Sequence, residues 1–143
     1  MRILFIDDDP EHVALVSRLI AEVLGAQVDV VDTVEAAVQL LQDRPYALVV
    51  TDIFIPLGPG ARASMGPRSR SYQENLQHLG GLVLLDELER VTPRPRVLAH
   101  TACTDFALIE VLGDAVYAKV PKPAPPDVLL RAVLEALELP TPQ

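Results

Sequence analysis

The chain has 143 residues, half of them hydrophobic and 22% charged, which suits one globular domain with a sizeable core and leaves little room for two. Twelve Lys and Arg against 20 Asp and Glu give a net charge of −8, which disfavours phosphate backbones and anionic membrane surfaces as partners. The single cysteine, Cys103, excludes an internal disulfide and a cysteine-built metal site. The opening MRILFIDDDP is too short and too acidic for a signal peptide, and no stretch approaches the roughly 20 apolar residues of a membrane span. A soluble, cytoplasmic domain is the expectation.

Five short apolar runs, 2–6, 28–31, 47–51, 96–100 and 115–120, are predicted strands. The third and fourth lack clean alternation, as expected where both faces are buried. The first helix is predicted to start at Pro10 with Asp9 as N-cap, and to turn Val13, Val16, Ile20 and Leu24 inward. A second begins near Thr33 with Val34, Val38 and Leu41. A third covers about 81–90, with Leu82, Leu85 and Leu88 on one face. A fourth follows Thr104 with Phe106, Ile109 and Val111 or Leu112. The last follows Pro126 and carries Val128, Leu129, Ala132, Val133 and Leu137. This alternation predicts a parallel sheet with helices on both faces. One domain is expected over 1–139, with 140–143 a short tail that leaves no room for an output module.

Residues 57–79 interrupt the pattern, because a loop between a strand and the next helix usually runs about 2–6 residues. The segment is 23 residues long, rich in Gly, Pro and Ser, and carries Arg62, Arg68 and Arg70 against one acid, Glu74. Three readings stand open for these arginines: solvated and idle, folded over a phosphorylated site, or in contact with an acidic patch on a partner. Tyr72, Leu76 and Leu79 have helical spacing.

In a doubly wound sheet, functional groups gather at the carboxyl ends of the strands. There stand Asp7, Asp8 and Asp9 after the first strand, Asp52 at the end of the third, Thr101 and Ala102 at the end of the fourth, and Lys122 and Pro123 after the fifth. With Asp9 capping the helix, Asp7, Asp8 and Asp52 converge. Three carboxylates repel unless a cation joins them, and an all-oxygen set favours Mg²⁺. Metal, lysine and hydroxyl together suit a phosphoryl group. No serine, cysteine or histidine stands out as nucleophile, so a carboxylate would serve, giving an acyl phosphate.

The pieces ILFIDDDP, VVTDIFIP, VLAHTA and KVPKP, in this order and spacing, resemble the response-regulator receiver domains of two-component signalling. Apart from the long loop and the tail, the resemblance covers nearly the whole chain. It implies a five-stranded flavodoxin-like sheet of order 2-1-3-4-5. It implies Asp52 as phosphoacceptor, with Mg²⁺ held by Asp7, Asp8, Asp52 and the backbone carbonyl of Phe54. Lys122 would pair with the phosphoryl oxygens across a cis Lys122–Pro123 peptide, Thr101 would be the switch hydroxyl that swings inward, and the N–H groups of Ile53 and Ala102 would complete the cradle. The implied donor is a sensor histidine kinase or a histidine phosphotransfer protein. Output would pass through an unidentified partner protein, and such receivers often dimerise on phosphorylation, so a homodimer is a further implied partner. No activity as an enzyme is implied beyond self-catalysed phosphoryl uptake and slow hydrolysis.

Two departures from the family pattern bear on mechanism. The switch aromatic expected three residues before the lysine is Lys119 here, with Tyr117 two residues earlier expected on the same face. The other departure is the long loop. The resemblance implies that Phe54 and Cys103 stand where side chains influence how water reaches the acyl phosphate, so the bulky Phe54 is expected to slow hydrolysis. His100 is read as a half-buried strand-end group, and His12 and His78 as surface residues. Two other readings remain. A phosphorylation-independent interaction module draws on Lys119 and the loop. An aspartyl phosphatase would need an acid where Phe54 stands.

Overall fold

A computed structural model describes residues 1–56, 80–102, 110 and 112–139. Five parallel strands form one sheet in the order β2-β1-β3-β4-β5, as the resemblance implies. They are β1 (Arg2–Ile6), β2 (Gln27–Val31), β3 (Leu48–Thr51), β4 (Arg96–Thr101) and β5 (Ala118–Pro121). The described helices are α1 (Pro10–Leu24), α2 (Val34–Asp43), α3 (Gly80–Leu88) and α4 (Pro126–Ala136). Residues 57–79, among them Arg62, Arg68, Arg70, Tyr72, Leu76, Leu79 and His78, lie outside the described residues, as do Cys103, Thr104, Phe106, Ile109 and Val111, so the expectations for them do too.

Strand alternation divides the apolar side chains between two cores. Leu4, Ile6, Val49, Val97 and Ala99 face α2 and α3, where Val34, Ala37, Leu41, Leu82, Leu85 and Leu88 meet them. Ile3, Phe5, Leu48, Val50, Leu98 and Val120 face the other way, against Val13, Val16 and Ile20 of α1 and Leu129 and Val133 of α4. Burial on both faces explains why β1 and β3 read as unbroken apolar runs. The Thr33 hydroxyl caps α2 by accepting the Ala36 N–H at 3.1 Å. Gly25 ends α1 in the left-handed region, at φ 62°.

Several local expectations are corrected. β5 starts at Ala118, because residues Gly113–Ala115 form a 3-10 turn opened by Gly113 at φ 48°. Ala115 therefore packs into the α2–α3 core from a turn, not from a strand. Asp9 precedes α1 as predicted, but its side chain makes no cap bond. Its N–H donates instead to Asp7 Oδ1 at 2.9 Å, so the turn is tied to the acid cluster. Val128 is exposed, since it lies about 100° around α4 from the buried Leu129.

Candidate functional site

The carboxyl ends of β1, β3, β4 and β5 bring Asp7, Asp52, Thr101 and Lys122 to one edge of the sheet. The order 2-1-3 reverses direction at β1, and this opens the crevice in which such sheets bind ligands. Backbone bonds set the acids there: the Asp7 N–H donates to the Val31 carbonyl at 3.0 Å, and the Asp52 N–H to the Ile6 carbonyl at 3.1 Å. Asp7, Asp52 and Thr101 are buried, and Asp8 is exposed at the rim.

Lys122 spans the two buried acids. Its Nζ lies 2.6 Å from Asp7 Oδ2 and 2.9 Å from Asp52 Oδ2. The Phe54 N–H reaches Asp52 Oδ1 at 3.2 Å. Burial alone would raise the Asp52 carboxyl, but hydrogen bonds from Lys122 and from the Thr101 side chain outweigh it and hold the group below 3.8. Burial would likewise lower the lysine. Its bonds to Asp52 and Asp7 win, so it stays protonated above 10.5. Asp8 moves the other way, raised above 3.8 by desolvation and by repulsion from Asp7 and Asp52.

One carboxylate oxygen from each of Asp7, Asp8 and Asp52 lies within 4.8 Å of the others. This all-oxygen set has hard-cation chemistry, and the raised Asp8 registers a repulsion that a divalent ion would relieve. The Phe54 backbone sits in the turn after Asp52. That turn is clamped from α3, where the Gly80 N–H donates to the Ile55 carbonyl and the Gly81 N–H to the Ile53 carbonyl, each at 2.9 Å. The Phe54 carbonyl between them is not part of the clamp. A Cβ at Gly81 would sit 2.5 Å from the Asp52 carbonyl oxygen, so only glycine lets the helix approach this closely.

The other predicted site residues fall as follows. Ile53 and Ala102 directly follow Asp52 and Thr101, Ile53 buried and Ala102 exposed. Thr101 is buried at the end of β4, and its side chain helps to hold Asp52 ionised. Lys119 is half-buried on β5 opposite Ala99. Tyr117 corrects an expectation: it precedes β5 at the opposite end of the sheet from Asp52 and is exposed there. Its ring lies beneath the Arg96 guanidinium, 5.3 Å from the centroid, so it is no substitute for a switch aromatic. The Lys122–Pro123 peptide is cis. Phe54 is partly exposed beside Asp52.

His100 is buried outright, not half-buried. Its Nδ1 lies 3.2 Å from the Val120 carbonyl, and the His12 ring stacks on it with centroids 5.9 Å apart and planes 15° apart. His12 is exposed, as read, but 88 residues separate the two in sequence, so nothing local signals their pairing.

A comparison with protein-family sequence models finds no match, and neither does one with curated proteins. The fold has clear relatives. It is similar to a CheY-like response regulator receiver domain protein of Methanospirillum hungatei JF-1, with a TM-score of 0.71 and 20% identity over 96% of this chain and 93% of that one. It is also similar to the receiver domain of the Francisella response regulator 1452, with a TM-score of 0.70 and 20% identity over 96% of each chain. A third similar structure is the BeF3-activated DrrB receiver domain, with a TM-score of 0.67 and 22% identity over 96% of this chain and 97% of that one. At these identities the likeness is one of fold. Among the described residues no helix is long and apolar enough to cross a membrane.

Proposed function

Starting from the receiver-domain fold of this chain, we propose that it is a phosphoacceptor: it takes a phosphoryl group from a phosphohistidine onto Asp52 and relays the change to a partner in the cytoplasm. The observation that carries this reading is the convergence of Asp7, Asp8, Asp52, Thr101 and Lys122 at one sheet edge, with Asp52 held ionised by the lysine and the hydroxyl.

A carboxylate Oδ of Asp52 attacks phosphorus. The phosphorus–nitrogen bond breaks, and its electron pair returns to the imidazole of the donor. The product is an acyl phosphate. Asp52 suits this role because it is deprotonated at neutral pH and its orientation is fixed by the Phe54 N–H on one oxygen and Lys122 on the other. Lys122 then transfers its ammonium from carboxylate to phosphoryl oxygens, a charge-assisted exchange that keeps its position between β1 and β3. Thr101, buried beside the site, would donate its hydroxyl to the same group. Asp7, Asp8, Asp52 and the Phe54 carbonyl would hold Mg²⁺, whose chemistry is to neutralise charge developing on the phosphoryl oxygens. The donor is a histidine kinase or a histidine phosphotransfer protein, and the output protein recognises the face that phosphorylation re-poses.

Intact mass after incubation with Mg²⁺ and acetyl phosphate tests the proposal. The expected result is one phosphoryl addition, absent in Asp52→Asn and lost with chelator. No addition under any donor, with the fold intact, would leave the interaction-module reading.

A further inference from the structure

Lys122 follows the end of β5, the edge strand of the sheet. Pro121 has no N–H, but its nitrogen faces the open edge, while Val120 and Lys122 turn their polar groups toward β4. The last two residues of β4 meet those groups. The Thr101 carbonyl accepts the Lys122 N–H at 3.0 Å, and the His100 ring reaches the Val120 carbonyl at 3.2 Å. A carbonyl only accepts, so the proton of the His100 ring must sit on Nδ1. Val120 and Lys122, the two neighbours of the proline, are thus gripped by consecutive residues of one strand. The lysine side chain projecting from this grip spans Asp7 and Asp52. His12 of α1 stacks on the buried ring, with centroids 5.9 Å apart.

We propose that His100 is a positioning residue for Lys122, acting through the Nδ1–H bond to the Val120 carbonyl, with the stacked His12 ring fixing its orientation. The inference rests on the phosphoacceptor reading for its kinetic consequence, but not for its geometry. Leucine at this position would fill the volume and lose the bond. Asparagine carries an amide N–H close to where Nδ1 stands and keeps it.

The test combines NMR of the ring with kinetics of phosphoryl uptake from acetyl phosphate in Mg²⁺. Wild type is expected to show His100 as the Nδ1–H tautomer. His100→Leu is expected to take up phosphoryl about tenfold more slowly, the upper end of what one hydrogen bond supplies, and to shift the Lys122 amide resonance. His100→Asn is expected to restore both. An Nε2–H tautomer in the wild type overturns the proposal, as does a leucine variant as fast as wild type or an asparagine variant as slow as leucine. If wild type takes up no phosphoryl, the phosphoacceptor reading fails by itself. The tautomer and the Lys122 resonance then decide: shifted by leucine and restored by asparagine supports the positioning role, and unmoved by leucine overturns it. If the leucine variant does not fold, the tautomer and the asparagine variant decide.

Discussion

At the scale of single residues, the site is a balance between three acids and one lysine. Lys122 offsets the two buried acids, which leaves Asp8 as the member whose charge is least compensated. Its raised carboxyl has a direct consequence. In chelator, Asp8→Asn removes repulsion and is expected to raise the melting temperature by roughly 1–4 °C, the shift of a change below about 1 kcal/mol in a domain of this size. In Mg²⁺ the order should reverse, because the variant loses a ligand and gains less from the ion. Thermal melts with and without Mg²⁺ check this, and equal stabilisation of both proteins by the ion would refute Asp8 as a ligand. These acids were legible in the sequence because each follows an apolar run that can only be a strand, which puts them at strand ends. The role of His100 was not legible. Its partner His12 comes from a helix 88 residues earlier, and only the packing of α1 on the sheet joins the two.

At the scale of elements, the turn after β3 and the start of α3 act as one unit. Gly80 and Gly81 bring their N–H groups onto the Ile55 and Ile53 carbonyls, and a Cβ at Gly81 would also meet the Ile53 Cα at 2.6 Å. Gly81→Ala must therefore push on the Asp52 backbone. The expected cost is about 1–3 kcal/mol, as for other overpacking, together with slower phosphoryl uptake. Gly25→Ala is the control. It is strained at φ 62° with nothing within 4 Å, so it should cost stability without touching uptake. Urea titration beside uptake rates separates the two effects, and unchanged uptake in folded Gly81→Ala would refute the coupling. Helix periodicity predicted most of the inward faces correctly because one apolar stripe meets one sheet face. It misplaced the start of β5, since Ala115, Val116 and Tyr117 run directly into the apolar residues of the strand, whereas the left-handed Gly113 opens a 3-10 turn over Gly113–Ala115. The same error put Tyr117 inside β5, which it precedes.

At the scale of the whole molecule, the two cores fasten the four described helices to one sheet and leave its carboxyl edge free for the acid cluster. Buried His100 also ties stability to pH. Burial first, then the nearby Lys122 and His12 charges, lower its ring below 6.5, against the opposing Val120 bond and Asp7. The unfolded chain therefore binds the proton more readily than the folded one. This contribution to stability is full above 6.5 and is lost as the pH falls from there toward the lowered folded value. Asp52, lowered from 3.8, adds a loss only in more acid solution. Urea midpoints should fall between about pH 7.5 and about pH 5.5 in the wild type and fall less in His100→Asn. Equal falls would place the titrating group elsewhere. The sheet order and the phosphoacceptor reading both came from motifs scattered across the chain, each weak alone. Their meaning depends on a topology that brings four strand ends together.

The most direct test of the central claim is the chemical position of the phosphoryl group. Protein exposed to Mg²⁺ and a phosphohistidine donor would be reduced with borohydride, which converts an aspartyl phosphate to homoserine, and its peptides mapped by mass. The account predicts homoserine at position 52 and nowhere else. Phosphoryl stably bound at another residue, or none transferred to a folded protein that binds Mg²⁺, would contradict it.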